Sequence, residues 1–391
     1  MAGIHLQWLE GILEQPAAQI SGMWLSAIGA LSFQVQPIML GAFAQVYGLD
    51  DQQVGTLASI ELGGGFMATL SAVIWLRRVN WRSLMLFLLP LIAVAFLGSG
   101  WCRNFTELAA IRFVGGLGHG AIYVVAVAYL CDSHKPERVV GFAVTMQLLL
   151  GAAMFVALPQ LEHTLGIKGM VSLLALIAAC GLLGLISFPA AGKSTVEAEV
   201  TGTARVVWPA LLIVAGMLVF QMSLASIWAF IEIMADHSGI PLETTGTVLA
   251  ITVPLSAMGG VAAGVLGLRW GRTAPLLLTA IATIIALSVL GTVATISALF
   301  IGFFIQQFFW NFGIAYIFGM VAEFDTTGRL VALAPSAQTL GNALAPGLTG
   351  LALTGDGYLV VNFVSGLCAC VGIGALLIVI HYFPRAEHSD P

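Results

Sequence analysis

The sequence predicts an all-α membrane protein, with twelve transmembrane helices in two pseudo-symmetric six-helix bundles. Three observations lead there: the composition, a series of apolar runs parted by short loops, and an internal repeat at constant offset. Hydrophobic residues make up 59% of the 391, charged ones only 8%, and mean hydropathy is +1.00. A soluble domain carries roughly 25% charge, so this chain is solvated by lipid.

A helix that crosses a bilayer needs about 20 mostly apolar residues. Runs of that kind fall near 21–47, 53–76, 83–101, 106–131, 139–161, 168–189, 207–235, 243–267, 274–293, 295–321, 329–353 and 358–382. The first six form an N-terminal bundle (21–189) and the last six a C-terminal bundle (207–382). Between them lies the polar stretch 190–206, read as a cytoplasmic linker, and a cytoplasmic tail follows at 383–391. Residues 1–20 alternate apolar and polar positions (Ile4, Leu6, Trp8, Leu9, Ile12, Leu13) and read as a cytoplasmic segment on the membrane surface. No Lys or Arg occurs before Arg77, which argues against a cleaved signal peptide.

The repeat runs at an offset of 191. Gly48, Leu49 and Gly55 return as Gly239, Ile240 and Gly246; Arg78 returns as Arg269, Asp132 as Glu323, Arg138 as Arg329 and Gln147 as Gln338. Such a frame is the mark of two copies of one membrane-embedded half, and two such halves usually mean a transporter. Basic residues orient the bundle. With the N-terminus inside, the inner loops and tail hold eleven of the fourteen Lys and Arg, and the outer loops hold only Arg103 and Lys168. Both termini are therefore expected in the cytoplasm.

Composition also excludes. A net charge of −5 without any Lys/Arg cluster gives no footprint for nucleic acid. Gly63-Gly64-Gly65 and Gly115-Gly116-Leu117-Gly118 lie inside apolar runs, where close helix packing explains them and phosphate binding does not. Cys102, Cys131, Cys180, Cys368 and Cys370 lack ligand or disulfide spacing, and the seven histidines are scattered, so neither cofactor nor metal is expected. Nothing resembles a nucleophile–base constellation, and an enzyme is not expected.

Three sequence pieces resemble the major facilitator superfamily. That family's loop after the second span reads Gly-x-x-x-Asp-Arg-x-Gly-Arg. The copy after the eighth run is Gly264-Val265-Leu266-Gly267-Leu268-Arg269-Trp270-Gly271-Arg272, with Leu268 in place of Asp. The first copy is more worn, with Val73, Arg77 and Arg78-Val79-Asn80. In the fourth run, Arg112 and Gly116-Leu117-Gly118 resemble the family's Arg-then-Gly-x-Gly signature, and Asp132 to Arg138 resembles the loop that follows. The resemblance covers nearly the whole chain and implies the major facilitator fold and transport by alternating access. Because the loop Asp is missing from both copies, inner gating is expected to rest on Asp132, Arg138, Glu323 and Arg329, beside Arg78, Arg269, Gly271 and Arg272.

Ionisable groups inside spans are costly and need a reason. Glu61 and Arg112 lie at similar depth, roughly 9–12 Å from the outer end at 1.5 Å per residue, so they are placed to pair. The pair reads either as a structural tie or as a proton switch, in which substrate competing for Arg112 frees the carboxylate. His119, two turns after Arg112 on the same face, is a packing histidine or a proton relay, and Tyr123 follows one turn on. Glu232 is a second proton site or a solvated helix end. In the family, spans one, four, seven and ten line the cavity, with five and eleven contributing. That assigns Gln34, Gln36, Tyr123, Gln147, Gln221, Gln307, Trp310, Asn311 and Gln338, with Arg112, to substrate binding.

The reading is a secondary transporter of a small organic solute in the cytoplasmic (inner) membrane, coupled to protons and monomeric. Its rivals are an uncoupled facilitator and a non-transporting receptor or enzyme.

Overall fold

The computed structural model describes residues 15–133, 136–192, 208–291, 295–324, 329–353 and 358–383. In chain order its helices are α1 (Pro16–Tyr47), α2 (Asp51–Trp75), α3 (Trp81–Ser99), α4 (Phe105–Cys131), α5 (Pro136–Gly184) and α6 (Trp208–His237), then α7 (Leu242–Ser256), α8 (Met258–Leu266), α9 (Thr273–Gly291), α10 (Ile296–Phe324), α11 (Arg329–Ala352) and α12 (Leu359–Tyr382). Among the described residues, nine helical stretches are long and apolar enough to cross a membrane. Phe87, Val94, Leu183, Ile281 and Phe363 are exposed large side chains along these helices. That belt belongs in hydrocarbon, and the chain is a multi-pass membrane protein.

Local chemistry sets most helix ends. Asp50 accepts from the Gln53 amide at 2.7 Å while Gln53 Oε1 accepts from the Asp50 amide at 3.2 Å, a reciprocal cap that starts α2. Asn80 caps α3 through the Ser83 amide, and Asn104 caps α4 through the Glu107 amide at 2.9 Å. Gly48 and its repeat mate Gly239 both take positive φ, 61° and 75°, so the duplicated turn keeps its left-handed backbone as well as its sequence.

The differences from the apolar-run boundaries are local. α1 begins at Pro16, so residues 16–20 belong to its first turns rather than to a separate surface segment. Runs five and six have no loop between them: α5 is broken only at Gly166, whose φ of 63° and ψ of −164° are open to glycine. Run eight is split into α7 and α8 because Pro254 lacks an amide proton, and the turn tightens through Ala257 N–H to Pro254 O. Residues 1–14 and 193–207, and hence most of the N-terminal segment and the linker, lie outside the described residues.

Within the first half, α1 packs on α4 and α5, and α2 on α4; within the second, α6 packs on α12 and α9 on α10. Across the halves, α2 meets α11, α5 meets α7, and α1 meets α6. These crossings are backbone-close. Gly55 lies against the Pro346 carbonyl and Gly246 against the Phe155 carbonyl, so a Cβ on either would collide. Gly55 and Gly246 are repeat mates, as are Phe155 and Pro346, so one contact is made twice about a pseudo-twofold axis.

Hydrogen bonds tie the same region. Trp228 Nε1–H donates to Phe33 O at 2.9 Å, the Gly347 amide to Ser59 Oγ at 2.7 Å, and Tyr358 O–H to Asp51 Oδ1 at 3.0 Å. Trp228 lies stacked between Phe33 and Phe303, at 5.6 and 6.1 Å, with Phe155 at 6.0 Å edge-on. These contacts run from the middle of the bundle to the end that carries turns 48–50 and 238–241, hereafter the sealed end. Tyr358, the first residue of the last apolar run, is the N-cap of α12 and stands one residue outside the apolar helix Leu359–Tyr382. Burial, then the charge of Asp51, holds its phenol above the usual 10. A raised phenol keeps its proton, so this bond is intact below pH 10 and is lost only as pH climbs through the raised value.

The opposite end carries the exposed arginines Arg77, Arg78 and Arg269. Two ion pairs among the described residues lie within halves: Arg77 Nη1 meets Asp132 Oδ2 at 2.6 Å, and Arg272 meets Glu323. Replacing Gly246 by Leu is expected to force α5 and α7 apart. Overpacking of that kind costs about 1–3 kcal/mol, read as a lowered melting temperature in detergent, whereas the same change at exposed Gly264 leaves it unmoved.

Candidate functional site

α1, α2 and α4 converge on a buried charge cluster because α4 is glycine-rich where it crosses α2. Gly116 sits against the Glu61 carbonyl and Gly120 against Gly65, and this close approach brings the two side chains into register. Arg112 Nε–H donates to Glu61 Oε2 at 3.1 Å and Nη2 to Glu61 Oε1, a two-pronged grip. Ser32 of α1 bridges them, donating to Glu61 Oε1 and accepting from Arg112 Nη2 at 3.2 Å. The guanidinium lies 5.7 Å from the ring of Phe43 and 5.2 Å from that of Phe96. Arg112 is 2% exposed and Glu61 4%, so the pair predicted from depth is formed and closed to water in this conformation.

His119 stands apart from that pair. Its Nδ1 lies 3.0 Å from Ile28 O and its ring is edge-on to Phe96 at 5.1 Å, so it ties α4 to α1. Tyr123, one turn on, is more than a third exposed although it lies in mid-helix.

The amide side chains fall into two repeat-related groups. Gln147 of α5 donates to Ser26 of α1 at 3.3 Å. Its mate Gln338 of α11 donates to Gln221 of α6 at 3.4 Å, and Gln221 donates to Asn342 at 2.7 Å. Gln34 approaches Gly151 of α5. In α10, Asn311 donates to Ser256 Oγ at 3.3 Å and to the Gln307 carbonyl at 2.9 Å. Six groups have nothing to bond among the described residues: both polar atoms of Gln36 and of Asn362, Thr245 Oγ1, Gln306 Oε1, Trp310 Nε1, and both oxygens of Glu232. A buried polar atom without a partner is costly, so each marks a place for a ligand, a water or a proton.

The loop residues divide. Among the described residues Asp132 pairs with Arg77 and Glu323 with Arg272, arginines that are not repeat mates. Arg78 and Arg269, the repeat-matched pair, are exposed, and Gly271 takes φ 61° in the turn before Arg272. The side chains of Arg138 and Arg329 lie outside the described residues. Sequence reasoning overlooked Ser32, Phe43, Phe96, Arg77 and Gly41. Ser32 carried a usable signal, a hydroxyl two residues before Gln34 in an apolar run; the two phenylalanines carried none.

Compared by sequence, the chain matches no family model and no curated protein. Solved structures match it over nearly its whole length. A D-xylose–proton symporter superposes with TM-score 0.74 at 15% identity, covering 95% of this chain and 98% of that one. The xylose transporter XylE from E. coli, in a partially occluded inward open conformation, gives 0.72 at 13% over 96% and 99%. A bacterial homolog of the human lysosomal transporter Spinster, inward-facing and unoccupied, gives 0.67 at 12% over 94% and 95%. The chain therefore has the major facilitator fold that its loop and fourth-span motifs implied.

Removing one member of the buried pair leaves the other charge stranded. Arg112→Ala is expected to destabilise by about 3–5 kcal/mol. The double change Glu61→Gln with Arg112→Met is expected to cost clearly less. Thermal unfolding of the three purified proteins gives the comparison.

Proposed function

We propose that this chain is a secondary transporter that moves a small organic solute across the cytoplasmic membrane by alternating access, driven by protons. The observation that carries the reading is the two-fold contact between halves. It is glycine-close from mid-bundle to the sealed end, while the Arg77–Asp132 and Arg272–Glu323 pairs among the described residues at the arginine-rich end each lie within one half. Such halves rock about the seal. Arginine-rich loops belong on the cytoplasmic side, so the sealed end is the outer one and this conformation opens inward. Twelve crossings follow if Gly166 divides α5 and if α7 and α8 form one span.

Gln36, Gln306 and Trp310 offer the solute both donors and acceptors, with Gln34, Gln307 and Asn311 on the same helices and Tyr123, Gln147, Gln221 and Gln338 on α4, α5, α6 and α11. Because Arg112 is engaged by Glu61 and Ser32, it tunes Glu61, and the solute met by the remaining groups is a neutral polar one. The symporter among the structural neighbours fits a proton-coupled reading. Glu61 and Glu232 are the acids assigned to proton movement, with His119, two turns along α4 from Arg112, as a relay. Asp132, Glu323 and the arginines around them are assigned to gating at the inner end.

The alternative, an uncoupled facilitator, has one observation in its favour. Glu61 is held by Arg112 and Ser32, and the Arg112 guanidinium lies against two aromatic rings, as in a structural tie. Purified protein in liposomes with an internal pH-sensitive dye separates the readings. Neutral polyols, nucleosides and amino acids added outside are expected to move protons for one class. That signal is expected to fall at least tenfold in Glu61→Gln or Glu232→Gln while solute binding persists. Solute flux with no proton signal in the unsubstituted protein would contradict proton coupling.

A further inference from the structure

The outer seal contains an acid with nothing to bind. Glu232 of α6 is 1% exposed, and neither carboxyl oxygen has a hydrogen-bond partner among the described residues. Its carboxyl presses on Gly41 of α1, in the other half, and fills the volume that a side chain there would need. Gly41 and Glu232 are 191 positions apart, so they are repeat mates. A residue that touches its own mate lies on the pseudo-twofold axis. Duplication has left one copy with the acid and the other with the space for it.

Among the described residues no counter-ion pairs with Glu232. The charges that bear on Glu232 are Asp236, one turn along the same helix, and Glu162 in α5, both acids. Titratable groups of packed elements at this end include Asp51 of α2, Glu243 of α7, and Tyr358 at the head of α12 with its ring against His237; α1 presents Gly41. A carboxylate taken from water into such a place without a partner is too costly to remain charged. Parting of α1 from α6 would remove Gly41 and admit water.

We propose that Glu232 is the proton-binding element of the outer seal: closing the seal against Gly41 requires its carboxyl to take a proton from water at that end, and reopening returns it. The O–H bond forms on one carboxyl oxygen as the halves meet, and breaks when the group is rehydrated. This rests on the reading of the halves as moving parts. The test reads the seal itself, so a failure of coupled transport and a failure of this inference remain distinguishable.

A disulfide across the seal reports closure. A Cβ on Gly347 would lie 3.3 Å from Ser59 Cβ, close to the separation that a disulfide spans. The Ser59→Cys/Gly347→Cys pair would be oxidised at a series of pH values, equal on both sides of liposomes, and the linked peptides quantified by mass spectrometry. The ratio of linking with native Glu232 to linking with added Glu232→Gln cancels the pH dependence of thiol oxidation. It is expected to be near one at low pH and to fall severalfold as pH rises, because only native Glu232 must bind a proton to close. Gly41→Ala is expected to reduce linking at every pH. Adding Glu232→Gly to it is expected to restore linking without the pH-dependent fall. A ratio flat across pH would overturn the proposal, as would Glu232→Gln opening the seal or Gly41→Ala leaving linking intact.

Discussion

The two halves of this chain meet through backbone, and that close approach is what the remaining structure depends on. Gly55 against the Pro346 carbonyl and Gly246 against the Phe155 carbonyl place α2 on α11 and α5 on α7 with no side chain between them. In lipid, helix association rests on packing and on the few hydrogen bonds that close approach permits. Both are present here: Trp228 stacks between Phe33 and Phe303, and three hydrogen bonds cross the halves beside it. A contact built twice by symmetry and largely from glycine can part and re-form as a rigid unit.

Duplication supplied the frame and divergence placed the charge. In the first half Ser32, Glu61 and Arg112 form one buried cluster. The positions 191 later are Ser223, Thr252 and Phe303. Thr252 turns its hydroxyl to the Val248 carbonyl, and Phe303 packs on Trp228. The second half keeps its own acid elsewhere, at Glu232 opposite Gly41. The first half is therefore tied internally by an ion pair, and the second brings an unpaired acid to the axis. The inner loops show the same drift, with Asp132 and Glu323 holding arginines that are not repeat mates.

Much of this was legible in the sequence. Hydropathy located the helices to within a few residues, because a span has no alternative but to be long and apolar. The offset of 191 gave the architecture, and counting residues to a common depth was enough to pair Glu61 with Arg112. What escaped depends on shape. The absence of a loop at Gly166 rests on one backbone conformation, and Phe43 and Phe96 are indistinguishable from other core phenylalanines until Arg112 is seen between them. Gly41 was unreadable because its contribution is a missing side chain. Polar residues in spans were visible, but which of them lack partners was not: Gln147 and Gln221 are bonded, while Gln36 and Gln306 Oε1 are not.

The central claim is that the ends open in alternation about the glycine-lined contact. Spin labels at exposed Arg78 and Arg269 would report one end, and labels at exposed Gln52 and Leu351 the other. Pulsed dipolar distances for both pairs, measured in liposomes across pH and with candidate solutes, test the claim directly. The account predicts two populations at each end, with the arginine-end pair shortening under the conditions that lengthen the sealed-end pair. Distances that stay fixed at both ends, or that change in the same sense, would contradict it.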